Sequence, residues 1–322
     1  MDEKIHLVCT IDENYMQHCC VMLASLFTNN KEHCFYVHII VNKPDYGDFE
    51  ELGNFIKSKQ HVFRFYSVNE QILSSAPISH HVSLATYYRI LMPELLDNTI
   101  HKVLFLDSDL LVRHSVRDFW NIDIQSYALA AVKENSTVEY KRNLSIPDSY
   151  GYFNAGVLLV NLDFWRKNEI PRKLIEYIAQ NSSKLISWDQ DALNAVLYNS
   201  CLYLSPVWNV TNSYFVINNP SDFDISVTDL AAARNSPAIV HFTGSRKPWQ
   251  YGNRHPYRKE YFYYLKLTSQ AIQNMQRNLW RKEINMRLSD YLNRGKFISA
   301  FSFYIRSLID RIKTNASIIS LR

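Results

Sequence analysis

Glycine is scarce in this chain, which holds only seven glycines among 322 residues. None of them falls in a GxGxxG or a GxxxxGK[ST] pattern, so the sequence offers neither a dinucleotide fingerprint nor a P-loop. GxSxG and HExxH are also missing, which leaves the hydrolase classes that depend on them without support. A bound nucleotide would therefore be held mainly through side chains and a metal ion.

Cysteines, charges and long apolar runs are limited as well. The five cysteines are odd in number and form no CxxC pair, which favours buried thiols in a reducing compartment over a disulfide framework or a zinc site. No apolar run reaches the roughly 18 residues that span a bilayer, and the acidic start MDEKIHLVCT does not resemble a signal peptide. We therefore expect a cytoplasmic protein, either soluble or peripheral on the inner face of the cell membrane.

Short β-rich runs alternate with helical patterns in the first half of the chain. This alternation predicts an α/β fold with a mixed, mostly parallel central sheet flanked by helices. Hydrophobic residues make up 47% of the chain, enough for a sizeable core. The predicted strands are 5–10, 35–41, 62–66, 103–106, 128–132, 157–160 and 238–242, and the predicted helices are 16–27, 48–57, 84–92 (ending at Pro93), 164–179 and 189–197.

The composition changes near Tyr264. From Lys266 onward there are eleven basic and three acidic residues, a net charge of +8, whereas the preceding 24 basic and 28 acidic residues give −4. We therefore predict a catalytic domain over 1–264 and a basic amphipathic helical tail over 265–322. The tail either packs on the body or lies on an anionic membrane, and its charge and aromatic content favour the membrane. Five apolar residues share one predicted helix face: Phe297, Phe301, Tyr304, Leu308 and Ile312.

Two carboxylates, Asp107 and Asp109, directly follow the apolar run 103–106. In open α/β sheets, ligands bind at the carboxyl ends of strands, and residues i and i+2 of an extended chain point to the same side. Two hard oxygen ligands suit Mg²⁺ or Mn²⁺. An Asp-x-Asp pair is also common in turns and caps, so both a metal site and a turn are open.

A second segment, 239–249, combines a predicted strand with His241, Gly244 and Lys247. An imidazole can complete a metal site begun by two aspartates. Glycine lets the backbone approach a phosphate closely, and lysine can neutralise a diphosphate as a point charge. The alternative is a histidine with internal partners beside a surface loop.

These segments, with four others in the same order, resemble glycosyltransferase family 8, which contains bacterial lipopolysaccharide galactosyl- and glucosyltransferases and glycogenin. The resemblance runs from about Ile5 to Trp249. It implies a GT-A fold, a UDP-hexose donor, Mn²⁺ (or Mg²⁺) and retention of anomeric configuration. The matching segments are a nucleotide-binding strand and turn at 10–15, a helix at 86–89, the metal motif at 105–109, a sugar-binding turn at 153–157, a catalytic segment at 188–191 and a metal and phosphate loop at 241–247.

The same resemblance implies roles for individual residues. Asp107, Asp109 and His241 would bind the metal. Asp189 and Gln190 would be catalytic, with Gln190 near the anomeric carbon. An uncharged amide is a poor nucleophile, which favours front-face attack by the acceptor; a covalent step at Asp189 or Asp191 is left open. The residues implied to contact the nucleotide or the donor sugar are Thr10, Asp12, Asn14, Tyr15, His81, Arg89, Ser108, Asn154, Ala155, Gly156, Asp189, Gly244 and Lys247.

One position departs from the family pattern. Lys133 and Glu134 stand where many relatives have an aspartate near the donor sugar and acceptor, so the hexose and the acceptor are open. We expect a retaining transferase that moves galactose or glucose from UDP-galactose or UDP-glucose to a saccharide or lipid-linked saccharide, in lipopolysaccharide or other surface-glycan biosynthesis. The alternatives are a metal-dependent phosphohydrolase and a non-catalytic nucleotide-sugar-binding protein. No nucleic-acid partner is expected, because the tail aromatics are not interleaved as stacking platforms.

Overall fold

A computed structural model describes residues 4–43, 45–77, 83–217 and 219–319, with the side chains of 222 and 310–319 left aside. The strands in these residues are β1 (Ile5–Thr10), β2 (Phe35–Val41), β3 (Val62–Ser67), β4 (Lys102–Leu106), β5 (Leu110–Val112), β6 (Leu129–Lys133), β7 (Phe153–Asn161), β8 (Cys201–Tyr203), β9 (Val210–Thr211) and β10 (Ile239–His241).

The helices complete an α/β architecture. Short 3₁₀ segments cover 13–15, 47–49, 70–73, 84–91, 182–184, 198–200, 206–208, 212–215 and 220–223. The α-helices are α1 (Met16–Thr28), α2 (Glu50–Ser58), α3 (Met92–Leu95), α4 (Arg117–Trp120), α5 (Val138–Asn143), α6 (Leu162–Lys167), α7 (Ile170–Asn181), α8 (Trp188–Leu197), α9 (Val227–Asn235), α10 (Arg258–Lys266), α11 (Gln270–Asn293) and α12 (Phe297–Ile319).

The main sheet has the strand order β3-β2-β1-β4-β7-β6-β8, and β5, β10 and β9 form a smaller sheet. Strand β7 is antiparallel to both of its neighbours, while the other pairs of the main sheet are parallel. This confirms the predicted mixed, mostly parallel sheet. The antiparallel pairing of β4 with β7 places the start of β7 beside the carboxyl end of β4, where the two candidate metal-binding aspartates follow.

Most predicted elements occur where expected, but two helix predictions were wrong in detail. Residues 84–91 form a 3₁₀ helix, and Pro93 lies in the first turn of α3 instead of ending a helix. Proline is tolerated there because the first N–H groups of a helix have no partner within it. The single helix predicted over 164–179 is two, α6 and α7. Glu169 between them has a φ of 51°, and Pro171 lies in the first turn of α7.

The predicted sugar-binding turn at 153–157 is also corrected, because these residues form the first half of β7. The side chain of Asn194 brackets the start of this strand: its Oδ1 accepts from Phe153 N at 2.7 Å and its Nδ2 donates to Phe153 O at 2.8 Å. Further along, Gly156 O accepts from Asp107 N at 2.8 Å. The segment is therefore a rigid strand edge that faces the end of β4.

Helix α11 packs on the body of the protein. Ile272 and Trp280 are buried in the same core cluster as α1. Gln17 Nε2 donates to Gln276 Oε1 at 2.7 Å, and both Gln276 Nε2 and Trp280 Nε1 donate to the carbonyl oxygen of Trp249. Helix α11 therefore holds the loop that follows β10, and the proposed domain boundary falls within α10. The division into two domains stays a prediction.

None of the helices within the described residues combines the length and the apolar character that crossing a lipid bilayer requires.

Candidate active site

Three candidate metal ligands from distant parts of the chain meet at the end of β4. Asp107 directly follows β4, Asp109 precedes β5, and His241 ends β10, which pairs antiparallel with β5. One ligand atom from each lies within 4.8 Å of the others. His241 Nε2 is 3.2 Å from Asp109 Oδ1 and 3.8 Å from Asp107 Oδ2. Two carboxylates and an imidazole are a donor set that fits Mn²⁺ or Mg²⁺.

Lys247 approaches the same group from the loop after β10. Its ammonium contacts the Asp109 carboxylate and donates to Phe242 O at 2.6 Å. Gly244 has a φ of 77°, in the left-handed region that glycine adopts readily, so it turns this loop back toward Asp109. Burial alone would raise the pKa of Asp109, but Lys247 and His241 outweigh it and hold that pKa well below its usual range. The Asp109 carboxylate is thus kept ionised and able to bind a cation.

Arg89 joins the metal-ligand group to the candidate catalytic segment. The side chain is buried; its Nη2 donates to Asp107 Oδ1 at 2.9 Å, and its Nε lies 2.9 Å from Asp189 Oδ2. The guanidinium also donates to Ala155 O and stacks 4.2 Å from the Phe105 ring centroid. A planar, permanently charged group suits this bridging position between two carboxylates.

Asp189 is 4% exposed and accepts a 2.8 Å hydrogen bond from Thr86 Oγ1. Burial raises the pKa of Asp189 to about 6, although Arg89 and Thr86 act in the opposite direction. This carboxyl group therefore changes its charge close to neutral pH, which is common for groups in active sites.

The side chain of Gln190 is held at both ends of its amide. Its Oε1 accepts from Ala155 N at 3.0 Å, and its Nε2 donates to Tyr152 Oη at 3.0 Å. Asp191 fixes the turn below it by accepting from Ile186 N and Ser187 N, each at 2.7 Å. Asp191 also accepts from two tyrosine hydroxyls and is fully buried. Asp191 therefore holds the segment 188–191 in place, and these hydrogen bonds argue against a role for it as covalent nucleophile.

The candidate nucleotide-binding residues lie at the end of β1. Asp12 caps the 3₁₀ turn 13–15 by accepting from Asn14 N at 3.0 Å and from Tyr15 N at 3.2 Å. The Asn14 side chain is exposed, whereas Tyr15 packs edge-on against Trp249 with ring centroids 6.2 Å apart. Thr10 is the last residue of β1. Burial raises the pKa of the Tyr15 hydroxyl and the nearby charge of Asp109 adds to this, so an aromatic ring that suits a nucleobase lies close to Asp109.

Ser108 and His81 were also predicted to contact the nucleotide or the donor sugar. The Ser108 hydroxyl is buried and finds no hydrogen-bond partner within the described ranges. His81 lies outside the described residues.

Sequence reasoning missed one residue of this site, Asn209. Asn209 is fully buried beside His241, and Glu134, which drew notice only as a departure from the family pattern, contacts Asn154. Asn209 follows the short segment 206–208, and asparagine is common after such turns. No signal in the sequence distinguishes it from an ordinary turn residue.

Comparison with known proteins gives consistent matches. The model of "Glycosyl transferase family 8" matches residues 6–252. General stress protein A of Bacillus subtilis is 34% identical over 274 residues, covering 83% of this chain and 95% of that protein. Lipopolysaccharide 1,3-galactosyltransferase of Salmonella typhimurium is 25% identical and covers 83% of this chain and 79% of its own length. The crystal structure of an active-site mutant of LgtC superposes with a TM-score of 0.76 at 25% identity, covering 82% of this chain and 96% of that one.

Proposed function

This chain belongs to glycosyltransferase family 8, and from that premise we propose that it transfers galactose or glucose from a UDP-hexose to a saccharide acceptor with retention. Membership confirms the predicted family, the GT-A fold and the assignment as a hexosyltransferase. It sets aside the phosphohydrolase and the non-catalytic alternative. The observation that carries the proposal is the meeting of Asp107, Asp109 and His241 beside Arg89 and Lys247.

Glycosyltransferases with this fold use a divalent metal and a UDP-sugar, and we propose Mn²⁺, or Mg²⁺, as the metal here. Asp107, Asp109 and His241 would hold it. When bound, the metal supplies Lewis-acid stabilisation of the negative charge on the departing diphosphate. The Lys247 ammonium, which contacts Asp109, would add positive charge for the diphosphate, and Gly244 would let the backbone of its loop come close to the same group.

The donor sugar would lie against β7 and the start of α8. Arg89 and Asp189 would orient its hydroxyl groups, together with Asn154, Ala155 and Gly156 along the strand edge. The amide of Gln190 faces this edge but carries no charge, so it can stabilise an oxocarbenium-like centre without attacking it. We therefore favour front-face attack by the acceptor hydroxyl, whose proton passes to the leaving phosphate oxygen.

A panel of UDP-sugars tests the proposal directly. UDP release is measured with Mn²⁺, with Mg²⁺ and with a chelator, using UDP-galactose, UDP-glucose and UDP-N-acetylglucosamine as donors. We expect Mn²⁺-dependent UDP release with one of the two simple hexoses, suppressed by the chelator. Equal release with and without metal, or no release from either hexose, would rule the proposal out.

The titration of Asp189 predicts an acidic limb in the pH profile. Above about pH 6 this carboxyl is ionised and paired with Arg89; below it, a proton removes the charge. With saturating Mn²⁺, we expect kcat/KM for the donor to fall as the pH is lowered through about 6. Asp189→Asn, which cannot titrate, should have lower activity and no such limb. If kcat/KM of the wild type stayed constant between pH 5 and 7.5, the ionised Asp189 carboxylate would not be needed for activity.

The C-terminal helix α12 has the character of a membrane-binding surface. Ala300 and Ser307 are buried against the body, whereas Phe297, Ile298 and Phe301 are 68%, 85% and 69% exposed. Arg294, Lys296 and Arg306 are basic residues of the same stretch of the chain. Such a combination binds anionic bilayers by partial insertion. We propose that α12 holds the enzyme on the inner face of the cell membrane, near a lipid-linked acceptor of lipopolysaccharide or another surface glycan.

Two exposed side chains test this docking surface. Changing Ile298 and Phe301 to serine removes apolar contact with lipid. We therefore expect the partition coefficient into vesicles that contain phosphatidylglycerol to fall by about tenfold or more. UDP release without vesicles should be unchanged. Val216 and Val227, which are 76% and 73% exposed on the body, provide a matched double-serine control. Equal vesicle binding by the Ile298/Phe301 variant and the control would refute the proposal.

To remove α12 alone, the chain should be cut after Gly295 and not after Tyr264. The earlier cut would remove Gln276 and Trp280, which hold Trp249 and with it the Lys247 loop. It would therefore confound membrane binding with the integrity of the site. The later cut retains these contacts.

A further inference from the structure

A buried chain of hydrogen bonds leads away from the metal-ligand group. His241 Nδ1 lies 3.0 Å from Asn209 Oδ1, and Asn209 Nδ2 donates to Asn154 Oδ1 at 2.8 Å. Asn154 Nδ2 in turn donates to Glu134 Oε2 at 3.1 Å. His241, Asn209 and Asn154 are 4%, 0% and 6% exposed, so water does not substitute for these contacts.

The backbone N–H of Gly156 determines which atom donates and which accepts in each of these hydrogen bonds. This N–H can only donate, and it lies 2.9 Å from Asn154 Oδ1. The amide oxygen of Asn154 therefore faces Gly156 and Asn209, which leaves its NH₂ group for the Glu134 carboxylate, an acceptor. Asn209 must then present its NH₂ to Asn154 and its oxygen to His241.

An amide oxygen only accepts, so Nδ1 of His241 carries a proton and Nε2 is the nitrogen left to bind a metal. The Nε2 lone pair is then directed toward the space between Asp107 and Asp109. Histidine ligands of metals are held in the binding tautomer by this kind of bond from the far nitrogen.

We propose that Asn209 is a positioning residue of the metal site: it fixes His241 in the Nδ1–H tautomer and, through Asn154, ties this ligand to the β7 edge. The proposal rests on the proposed function, because the metal that His241 binds is the one proposed there. The backbone does not need the side chain for its own bonding. Asn209 N donates to Pro206 O at 3.0 Å, and Val210 and Thr211 pair with β10.

The test measures Mn²⁺ affinity of the full chain by electron paramagnetic resonance at saturating UDP. Asn209→Leu keeps the volume and removes the acceptor, so we expect about 10- to 100-fold weaker Mn²⁺ binding. Asn209→Asp keeps an oxygen facing Nδ1–H, so its affinity should stay within about threefold of wild type or exceed it. Activity is not needed as a readout.

Asn30 supplies a matched control. It is also fully buried and uses both ends of its amide, bonding Leu26 O at 2.8 Å and Val116 N at 2.7 Å. Both Asn30→Leu and Asn209→Leu should lower the unfolding temperature, but Asn30→Leu should leave the Mn²⁺ affinity unchanged. A loss of affinity shared by Asn30→Leu would mark the effect as general destabilisation and overturn the proposal.

Other outcomes would distinguish a failure of the proposed function from a failure of the positioning role of Asn209. No Mn²⁺ binding by the wild type with UDP would defeat the proposed function itself. Wild-type affinity in Asn209→Leu, or equal losses in the leucine and aspartate variants, would defeat only the positioning role.

A measurement on the wild type does not require Asn209→Leu to fold. In ¹⁵N-histidine-labelled protein with Mg²⁺ and UDP, the His241 ring signals can be assigned by their absence from His241→Gln. We expect a protonated Nδ1 and an unprotonated Nε2. A protonated Nε2 would overturn the proposal.

Discussion

Replacing Asp109 by asparagine is expected to lower kcat by roughly three orders of magnitude, because a neutral amide is a far weaker ligand for a hard cation than a carboxylate. Two groups converge on Asp109: His241 Nε2 lies 3.2 Å from Oδ1, and Lys247 contacts Oδ2. A loss of about 4 kcal/mol of transition-state stabilisation corresponds to that factor. The measurement is the rate of UDP release at saturating donor and Mn²⁺.

The expected loss should arise from the metal site and not from unfolding. Asp123→Asn is a suitable control, since Asp123 is exposed and bonds only Gln125 N among the described residues. It should keep wild-type activity. Asp109→Asn should unfold near the wild-type temperature while its Mn²⁺ affinity with UDP falls. If kcat decreased by less than about tenfold at saturating Mn²⁺, Asp109 would not be a metal ligand in the reaction.

Replacing Gly156 by alanine should be nearly as damaging, because there is no room for a methyl group at this position. A Cβ built there would lie 2.2 Å from His241 Cε1 and 2.7 Å from Asp107 Oδ2. Both contacts are far below van der Waals distance, so at least two ligands must shift. Shifts of about 1 Å at a catalytic centre cost about 100-fold in rate, and we expect at least that loss together with weaker Mn²⁺ binding.

The chain offers a matched glycine for comparison. Apart from its two chain neighbours, the nearest atom to a Cβ at Gly47 would be Asp45 Oδ1 at 3.4 Å, which is an ordinary contact. Gly47→Ala should therefore retain wild-type activity and metal affinity. Wild-type Mn²⁺ binding by Gly156→Ala would show that β7 does not press on the ligands as the structure places it.

The elements that could be predicted from the sequence are those whose pattern is local. The strands β1 and β2 have the predicted bounds because each is a short apolar run flanked by polar residues. The predictions around Pro93 and in 164–179 failed because a proline is compatible with both the end and the first turn of a helix. Whether a proline ends a helix or begins one depends on contacts with residues from elsewhere in the fold.

The candidate site was predictable in a different way. Asp107 and Asp109 stand out because they follow a buried strand, and the sequence offered His241 as a third ligand, but the pairing of β5 with β10 that brings His241 to them was not predicted. Asn209 could not be found in the sequence, because its importance comes from which atom each neighbour presents. The packing of α11 on the body could not be predicted, because the helix is basic in composition and its buried residues Ile272 and Trp280 are a small part of it.

The most direct test of the central claim is the anomalous scattering of manganese in crystals of the full chain grown with Mn²⁺ and UDP. The expected result is a single strong peak in contact with carboxylate oxygens of Asp107 and Asp109, with Nε2 of His241 and with the diphosphate. UDP bound without a peak among these three side chains, or manganese bound at another position, would contradict the claim that they jointly hold the metal that serves the departing nucleotide.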